Sequence, residues 1–561
     1  MNNVGIAFDI GGTWIKGAWF DMETGALDGF DRIPSPLPSK SRSDLSGALR
    51  KFADQLAAGR KIEAVAISTA GVVDYFGAKV ELCAEHLKPL DDPRWVEELE
   101  SSLDAPVVLC NDSECAIIGA AAEGHLKGPG GIALLVAGTG LGFSVWRNGR
   151  RWRPGRRYTL LGAVRAGRTF DEIVSVSKLA DAGDGDLAAV LTDSAHAETR
   201  KRYFAELADV LYSAGIIHPV DEIILCGALV NVSRDVGFPL GETIETALPP
   251  GSPKIKLLGD DGASLQLKGA AALAKIEAGA RKVAFKGDYS NRKTEGRYAE
   301  RLDLQKKSAL ELAEILWSAE QEAGDRLKES LPAVAECAER FAERMGRGGR
   351  LIYVGCGTSG RVAAMDDIEL SCTFGLPEDR SITLISGGIA DASLSIETDF
   401  EEDASAVPET CLLNLGPDDI MVGISASSTA YYVRSALAHG RMAGALTVLI
   451  SESPPERDDF FDIHIPLRSG SEVVAGSTRM KAGTATKKIL NMLSTSTMIL
   501  LGKIEDCYMI DVACVNEKLV NRAVGILNAL YGWDKDKAGR ELEKHKYRLI
   551  EIVGEQRRGG K

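Results

Sequence analysis

Strand-length apolar runs that stop at glycines or small hydroxyl residues recur along the whole chain, and no other feature narrows its fold as much. VGIAFDI runs into Gly11-Gly12-Thr13, Ala105 to Cys110 into Asn111-Asp112, and Ile223-Ile224-Leu225-Cys226 into Gly227-Ala228. In the second half, Arg350 to Val354 runs into Gly355-Cys356-Gly357-Thr358-Ser359-Gly360, and Asp419 to Ile424 into Ser425-Ala426-Ser427-Ser428-Thr429. Helical patterning follows most of them. Strands alternating with helices build sheets whose ligands sit beyond the carboxyl ends of the strands, so an α/β protein is expected throughout.

At 561 residues the chain exceeds what one hydrophobic core supports. Its best linker is the stretch Ala280 to Asp303, polar, charged and without apolar periodicity. The expected division is a domain at 1–280, a linker or arm at 281–303, a second domain at 304–515 and a helical cap and tail at 516–561. Leu304 to Met345 reads as two helices broken near Leu331-Pro332, and the final QRRGGK as disordered tail. A net charge of -14 argues against a general nucleic-acid binder but leaves room for small anionic ligands. Ten cysteines without a CxxC pair or metal-ligand spacing read as thiols of a reducing compartment. With no leader pattern and no bilayer-length apolar run, a soluble, cytoplasmic protein without a membrane partner is expected.

In the first half, the hairpin around Gly11-Gly12-Thr13 can turn backbone N–H groups toward a phosphate, or simply close two strands. Asp9 would then hold Mg²⁺ through water, with Lys16 adding charge. Asp112, at a strand end and a helix start, is placed to take the proton of a sugar hydroxyl attacking a phosphoryl group; a helix cap is the competing role. Ala137-Gly138-Thr139-Gly140 forms a second glycine loop, Gly227 a third, and Asp260-Asp261-Gly262-Ala263 a fourth.

DIGGTWIKG, Asn111-Asp112, GTGLG and ILCGALV together resemble the ROK family of sugar kinases, within the actin-like ATPase superfamily. The resemblance implies two actin-like lobes closing on ATP, Mg²⁺ and a sugar. It makes Asp112 the general base and Asn111 a sugar contact. Around the nucleotide phosphates it places Asp9, Gly11, Gly12, Thr13, Lys16, Gly138, Thr139, Gly140 and Gly227. The family's ExGH sugar-holding segment and its zinc cysteines are absent, for the region reads YTLLGAVRAGRTFDEIVS. No zinc is therefore predicted, and sugar recognition falls to other side chains; a kinase half that has lost activity is the alternative.

GCGTSG in the second half matches GxGxxG, but a dinucleotide site needs an acid at the end of the next strand, and Ser381 to Ile385 ends in Ser386-Gly387-Gly388. A sugar-phosphate loop using Thr358 and Ser359 fits better. The turn at Ser427-Ser428 is a second hydroxyl site. EVVAGSTRMKAGTATKK adds Ser477, Thr478, Arg479 and Lys481, either an oxyanion wall or a solvated basic helix start.

GTSGR, GSTRMKAGTA, MIDVACVNEKL and TEGRYAERLD resemble the N-acetylmuramic acid 6-phosphate etherases, sugar-isomerase-fold (SIS) enzymes related to the glucokinase regulatory protein. This implies a doubly wound parallel sheet with a C-terminal helical cap, commonly a homodimer, that eliminates D-lactate from C3 and adds water. The family's acid aligns with Glu369. Its second carboxylate falls at Glu402, with Glu401 nearly as good and a solvated acidic face as the competing reading. The family's Ser-Gly-Arg-Thr-Pro turn is replaced by Ser427-Ser428-Thr429-Ala430-Tyr431. Both resemblances together imply a bifunctional enzyme that phosphorylates an amino sugar and then cleaves the lactyl ether of the sugar phosphate. A kinase regulated by a sugar-phosphate-sensing domain and an aldose–ketose isomerase are the alternatives.

Overall fold

The computed structural model describes residues 3–37, 42–74, 79–82, 90–126, 131–138, 140–147, 150–152, 164–165, 168–217, 220–260, 264–298, 302–387, 406–511, 514 and 516–559. They form two compact units, Met1–Lys282 with Asp403–Asn414, and Val283–Glu402 with Leu415–Lys561.

The first unit holds two five-stranded sheets of the same design. In one, β1 (Val4–Ile10), β2 (Trp14–Asp21), β3 (Leu27–Pro34), β4 (Ile62–Thr69) and β5 (Val107–Asn111) take the order β3-β2-β1-β4-β5. In the other, β6 (Ile132–Ala137), β7 (Leu141–Arg147), β8 (Arg150–Trp152), β9 (Glu222–Cys226) and β10 (Lys254–Leu258) take the order β8-β7-β6-β9-β10. Each begins as an antiparallel meander and ends in parallel strands. The glycine turns of the sequence close both first hairpins, β1 to β2 and β6 to β7.

Helices α1 (Asp112–Ala122) and α2 (Leu265–Ala280) meet at two glycines. A Cβ on Gly119 would lie 2.2 Å from the Leu265 carbonyl oxygen, and one on Gly269 would lie 1.8 Å from that of Cys115. Backbone contact this close is open only to glycine. The short helix Ala406–Leu412, though encoded in the second half, completes this unit. Val407 and Leu412 are buried in the cluster that α1 and α2 form, and the Trp146 indole donates to the Leu412 carbonyl at 3.2 Å.

The second unit is a parallel sheet of β11 (Leu351–Gly355), β12 (Ser381–Ile385), β13 (Ile420–Ile424), β14 (Leu446–Ser451) and β15 (Ile463–Pro466), ordered β12-β11-β13-β14-β15. From β11 the chain goes first to one neighbour, β12, and later to the other, β13, so the order reverses there. Its faces are covered by α3 (Gly357–Phe374), α4 (Tyr431–Met442) and α5 (Lys481–Leu500), with the helices Ala309–Arg326 and Leu331–Gly346. The expected break near Leu331-Pro332 is present, Pro332 lying within the first turn of its helix.

Helices Glu517–Tyr531, Lys535–Lys544 and Leu549–Gly559 form a separate apolar cluster. The last of these corrects the expected disordered tail. Arg557 donates to the Ile504 carbonyl at 3.1 Å and pairs with Glu505, which ties residues 556–559 down as helix. Among the described residues no helix is long and apolar enough to cross a membrane.

Candidate active sites

In the first unit the carboxyl ends of β1, β4 and β5 lie side by side, Ile10 opposite Thr69 and Thr69 opposite Asn111. The Gly11–Trp14 turn is closed by the Gly11 N–H donating to the Trp14 carbonyl at 3.0 Å. Gly11, Thr13 and Lys16 are exposed and Gly12 is half-buried. Lys16 lies opposite Asp9 on the neighbouring strand. Asp9 is half-buried and accepts from Ser68 Oγ at 3.1 Å. Burial pushes its carboxyl above the ordinary range, against the pull of Lys16 and Ser68; Asp260, at the end of β10, pushes it the same way as burial.

Of the two roles the sequence left open for Asp112, the helix cap falls to its neighbour Asn111. Asn111 Oδ1 caps α1, accepting from Ser113 N at 3.0 Å and Glu114 N at 3.2 Å, while Asn111 Nδ2 donates to the Gly71 carbonyl at 2.7 Å. Asp112 begins the helix, half-buried, and its Oδ1 accepts from Ser113 N at 2.7 Å. Burial and the nearby charge of Asp9 lift its carboxyl to about 7. A carboxylate at that value is matched to proton abstraction near neutrality.

The second sheet adds two loops at adjacent strand ends. Gly138 N–H donates to the Gly140 carbonyl at 3.0 Å. Gly227 has φ 98°, and a Cβ there would stand 2.8 Å from the Ala137 carbonyl oxygen, so the loop after β9 passes directly over the end of β6. Thr139 lies outside the described residues. Ser68 and Asp260 were not singled out in the sequence as neighbours of Asp9, since only the fold brings β4 and β10 toward β1.

In the second unit, the turns after β11 and β13 flank the reversal of strand order, the crevice where ligands bind in open α/β sheets. A Cβ on Gly355 would meet Gly360 N at 2.7 Å, so the glycines of GCGTSG let the start of α3 press against the end of β11. Thr358 and Ser359 are half-buried in its first turn. The start of α5 comes to the same place: a Cβ on Gly483 would lie 3.5 Å from the Thr478 carbonyl oxygen and 3.7 Å from Thr358 Cγ2.

Within the Ser477–Lys481 stretch the roles separate. Ser477 and Thr478 are half-buried and Arg479 is exposed. Lys481 is buried, donates through Nζ to the Ser471 carbonyl at 2.9 Å and lies 4.7 Å over the Tyr298 ring. The first N–H groups of α5 are taken by Glu472, which accepts from Lys481 N at 3.0 Å and Ala482 N at 2.9 Å. A carboxyl group of the chain's own thus occupies the helix start, a cap nine residues upstream that no short motif announces.

Ser427 is half-exposed and its Oγ lies 2.6 Å from Thr429 Oγ1, while Ser428 is fully buried with its hydroxyl engaged by Arg292. Glu369 is exposed on the fourth turn of α3, between the exposed apolar side chains Met365 (53%), Ile368 (66%) and the thiol of Cys372. Asp366, one turn earlier, is buried and accepts from Tyr353 Oη at 2.8 Å and Ser494 Oγ at 3.3 Å, which fixes the helix against β11 and α5. Glu401 and Glu402 lie outside the described residues. Among the described residues no group of three or more His, Cys, Asp or Glu side chains is arranged to hold a metal ion.

The family model described as "ROK family" matches residues 5–159, and that for the "Glucokinase regulatory protein N-terminal SIS domain" matches residues 333–441. The chain therefore carries a ROK domain followed by a SIS domain. The N-acetylmuramic acid 6-phosphate etherase of Symbiobacterium thermophilum is 38% identical over 252 residues, 45% of this chain and 84% of the relative. That of Nostoc punctiforme is 40% identical over 247 residues, 43% of this chain and 79% of the relative. Through its second half the chain belongs to the N-acetylmuramic acid 6-phosphate etherase family. Among solved structures, a ROK family glucokinase from Streptomyces griseus in complex with glucose and AMPPNP covers 48% of this chain and 99% of its own, at 21% identity and a TM-score of 0.41.

Proposed function

We propose that the chain is a bifunctional amino-sugar enzyme. Its first unit transfers a phosphoryl group from ATP to O6 of N-acetylmuramic acid or a related amino sugar. Its second unit cleaves the D-lactyl ether of the 6-phosphate, leaving N-acetylglucosamine 6-phosphate and D-lactate. The observation that supports this reading is the raised carboxyl of Asp112 in a ROK domain, joined in one chain to a second half whose relatives are named for a sugar 6-phosphate.

In the kinase reaction Asp112 accepts the proton of the attacking hydroxyl, and Asn111 fixes the turn that holds it. Asp9, raised by burial and by a second carboxylate, fits a hydrated Mg²⁺ better than an isolated charge, and the glycine turns at Gly11-Gly12, Gly138 and Gly227 leave backbone room for the phosphates of ATP. A bound divalent cation would supply neutralising charge to those phosphates.

In the ether cleavage, Thr358, Ser359, Ser427, Ser477, Thr478 and Arg479 line the phosphate end, and Glu369 protonates the departing ether oxygen; Glu402 takes the C2 proton. Thr358 and Glu369 share a face of α3 but stand eleven residues apart, about 16 Å along the axis. That exceeds a hexose 6-phosphate. The second unit accordingly works as a homodimer in which Glu369 of one copy serves the phosphate cradle of the other. The decisive experiment incubates the protein with ATP and a panel of amino sugars, and detects phosphate ester and free D-lactate separately. Neither product from any sugar would sink the proposal.

A further inference from the structure

We propose that Arg292 and Arg434 are positioning residues that clamp Ser428 in a left-handed conformation and so present the Ser427 hydroxyl at the edge of the sheet. Ser428 has φ 60°, a region that costs an L-residue other than glycine steric energy, and nothing in a serine side chain favours it as strongly as glycine does. Its polar groups are all held. The N–H donates to the Ser425 carbonyl at 3.0 Å, and the carbonyl accepts from Arg434 Nη1 at 2.9 Å. The hydroxyl accepts from Arg292 Nη2 at 3.2 Å and faces the Pro454 carbonyl at 3.4 Å.

The two guanidinium groups are themselves fixed. Arg434 is fully buried, forks onto Glu456 at 2.6 and 3.1 Å, donates to the Val283 carbonyl and lies 4.5 Å from the Phe460 ring centroid. Arg292 reaches the same Glu456 at 3.2 Å and the Pro454 carbonyl at 3.1 Å, and stacks 4.3 Å over Phe285. One carboxylate therefore joins two arginines, and both close on a single residue. A planar fork with several donors can hold a hydroxyl, a carbonyl and a carboxylate together, which an ammonium group at the end of a flexible stem does poorly.

The consequence falls on the neighbours. Ser427 is the half-exposed hydroxyl of the turn, backed by buried Thr429 at 2.6 Å and by buried Ser425 at 3.5 Å. Relaxing Ser428 out of the left-handed region rotates the peptide planes on either side of it, and the Ser427 hydroxyl no longer points where its partners aim it. The arm around Val283 to Lys293 thus has a function beyond connection: Lys293 N–H also donates to Ser453 Oγ at 3.1 Å, beside the same turn.

The inference rests on the reading of this turn as a sugar-phosphate contact, and its test separates the two. Binding of N-acetylglucosamine 6-phosphate is measured by calorimetry for Arg292→Ala in the native background and in a Ser428→Gly background, with thermal denaturation of the ligand-free proteins alongside. Glycine holds the left-handed turn unaided, so Arg292→Ala is expected to weaken binding about tenfold in the native background and by less than about twofold in the Ser428→Gly background. The ligand-free melting temperature should likewise fall less in the Ser428→Gly background. Equal weakening in both backgrounds would show that Arg292 meets the ligand directly, and no weakening in either would show that the turn needs no clamp; each overturns the proposal. If Arg292→Ala does not fold, Arg292→Lys replaces it with the same expectations. An unmodified protein that binds no sugar phosphate removes the underlying reading, while the melting temperatures still decide whether the clamp exists.

Discussion

If Asp112 is the base of the proposed kinase reaction, its availability depends on its neighbours. Burial and the charge of Asp9 lift its carboxyl to about 7, so it is protonated, and unable to accept a proton, on the acid side of that value. Phosphoryl transfer is therefore expected to rise with pH through about 7 and to fall about tenfold for each pH unit below it, as a rate profile at saturating ATP would show. A cation bound at Asp9 would cancel the neighbouring charge and shift the ascending limb to lower pH. Asp112→Asn should abolish transfer to sugar while leaving lactate release from supplied 6-phosphate intact. Gly227 makes a second case at this scale. Its φ of 98° and the 2.8 Å approach to Ala137 leave no room for a side chain, so Gly227→Ala should cost roughly 1–3 kcal/mol of local strain. The expected result is a higher KM for ATP with the KM for sugar little changed.

At the scale of elements, local pattern and distant contact part company. The strands at Arg350 to Val354, Ser381 to Ile385 and Asp419 to Ile424 were legible because apolar residues bounded by glycine or serine specify a buried strand without reference to anything remote. Glu472 as the cap of α5, Arg434 at the Ser428 turn and the seat of Ala406–Leu412 were not, because each is fixed by a partner far along the chain. Arg434 in particular sits in a run that reads as an ordinary amphipathic helix, yet it is completely buried. The helix Ala406–Leu412 yields a direct test. Val407→Asp would bury an unpaired charge against α1 and α2, a change that destabilises by several kcal/mol. Hydrogen exchange should then quicken in α1, nearly three hundred residues earlier in the sequence, before it changes in α3.

For the whole molecule, the distance along α3 between Thr358 and Glu369 sets the expectation that two chains share each ether-cleaving site. Glu369→Gln and a Thr358→Ala/Ser359→Ala variant should each release little D-lactate alone. Mixed under conditions that exchange subunits, they should recover up to about a quarter of native activity, since one in four of the native-type sites is rebuilt when copies pair at random. No recovery, with exchange confirmed, would confine the chemistry to one chain. The excursion at Asp403–Asn414 carries a different kind of consequence. A gene cut after residue 282 would encode a first unit lacking one wall, and a gene begun there would encode a helix with nothing to rest on. Separating the two coding halves would therefore alter the folding of both products, not only divide their activities.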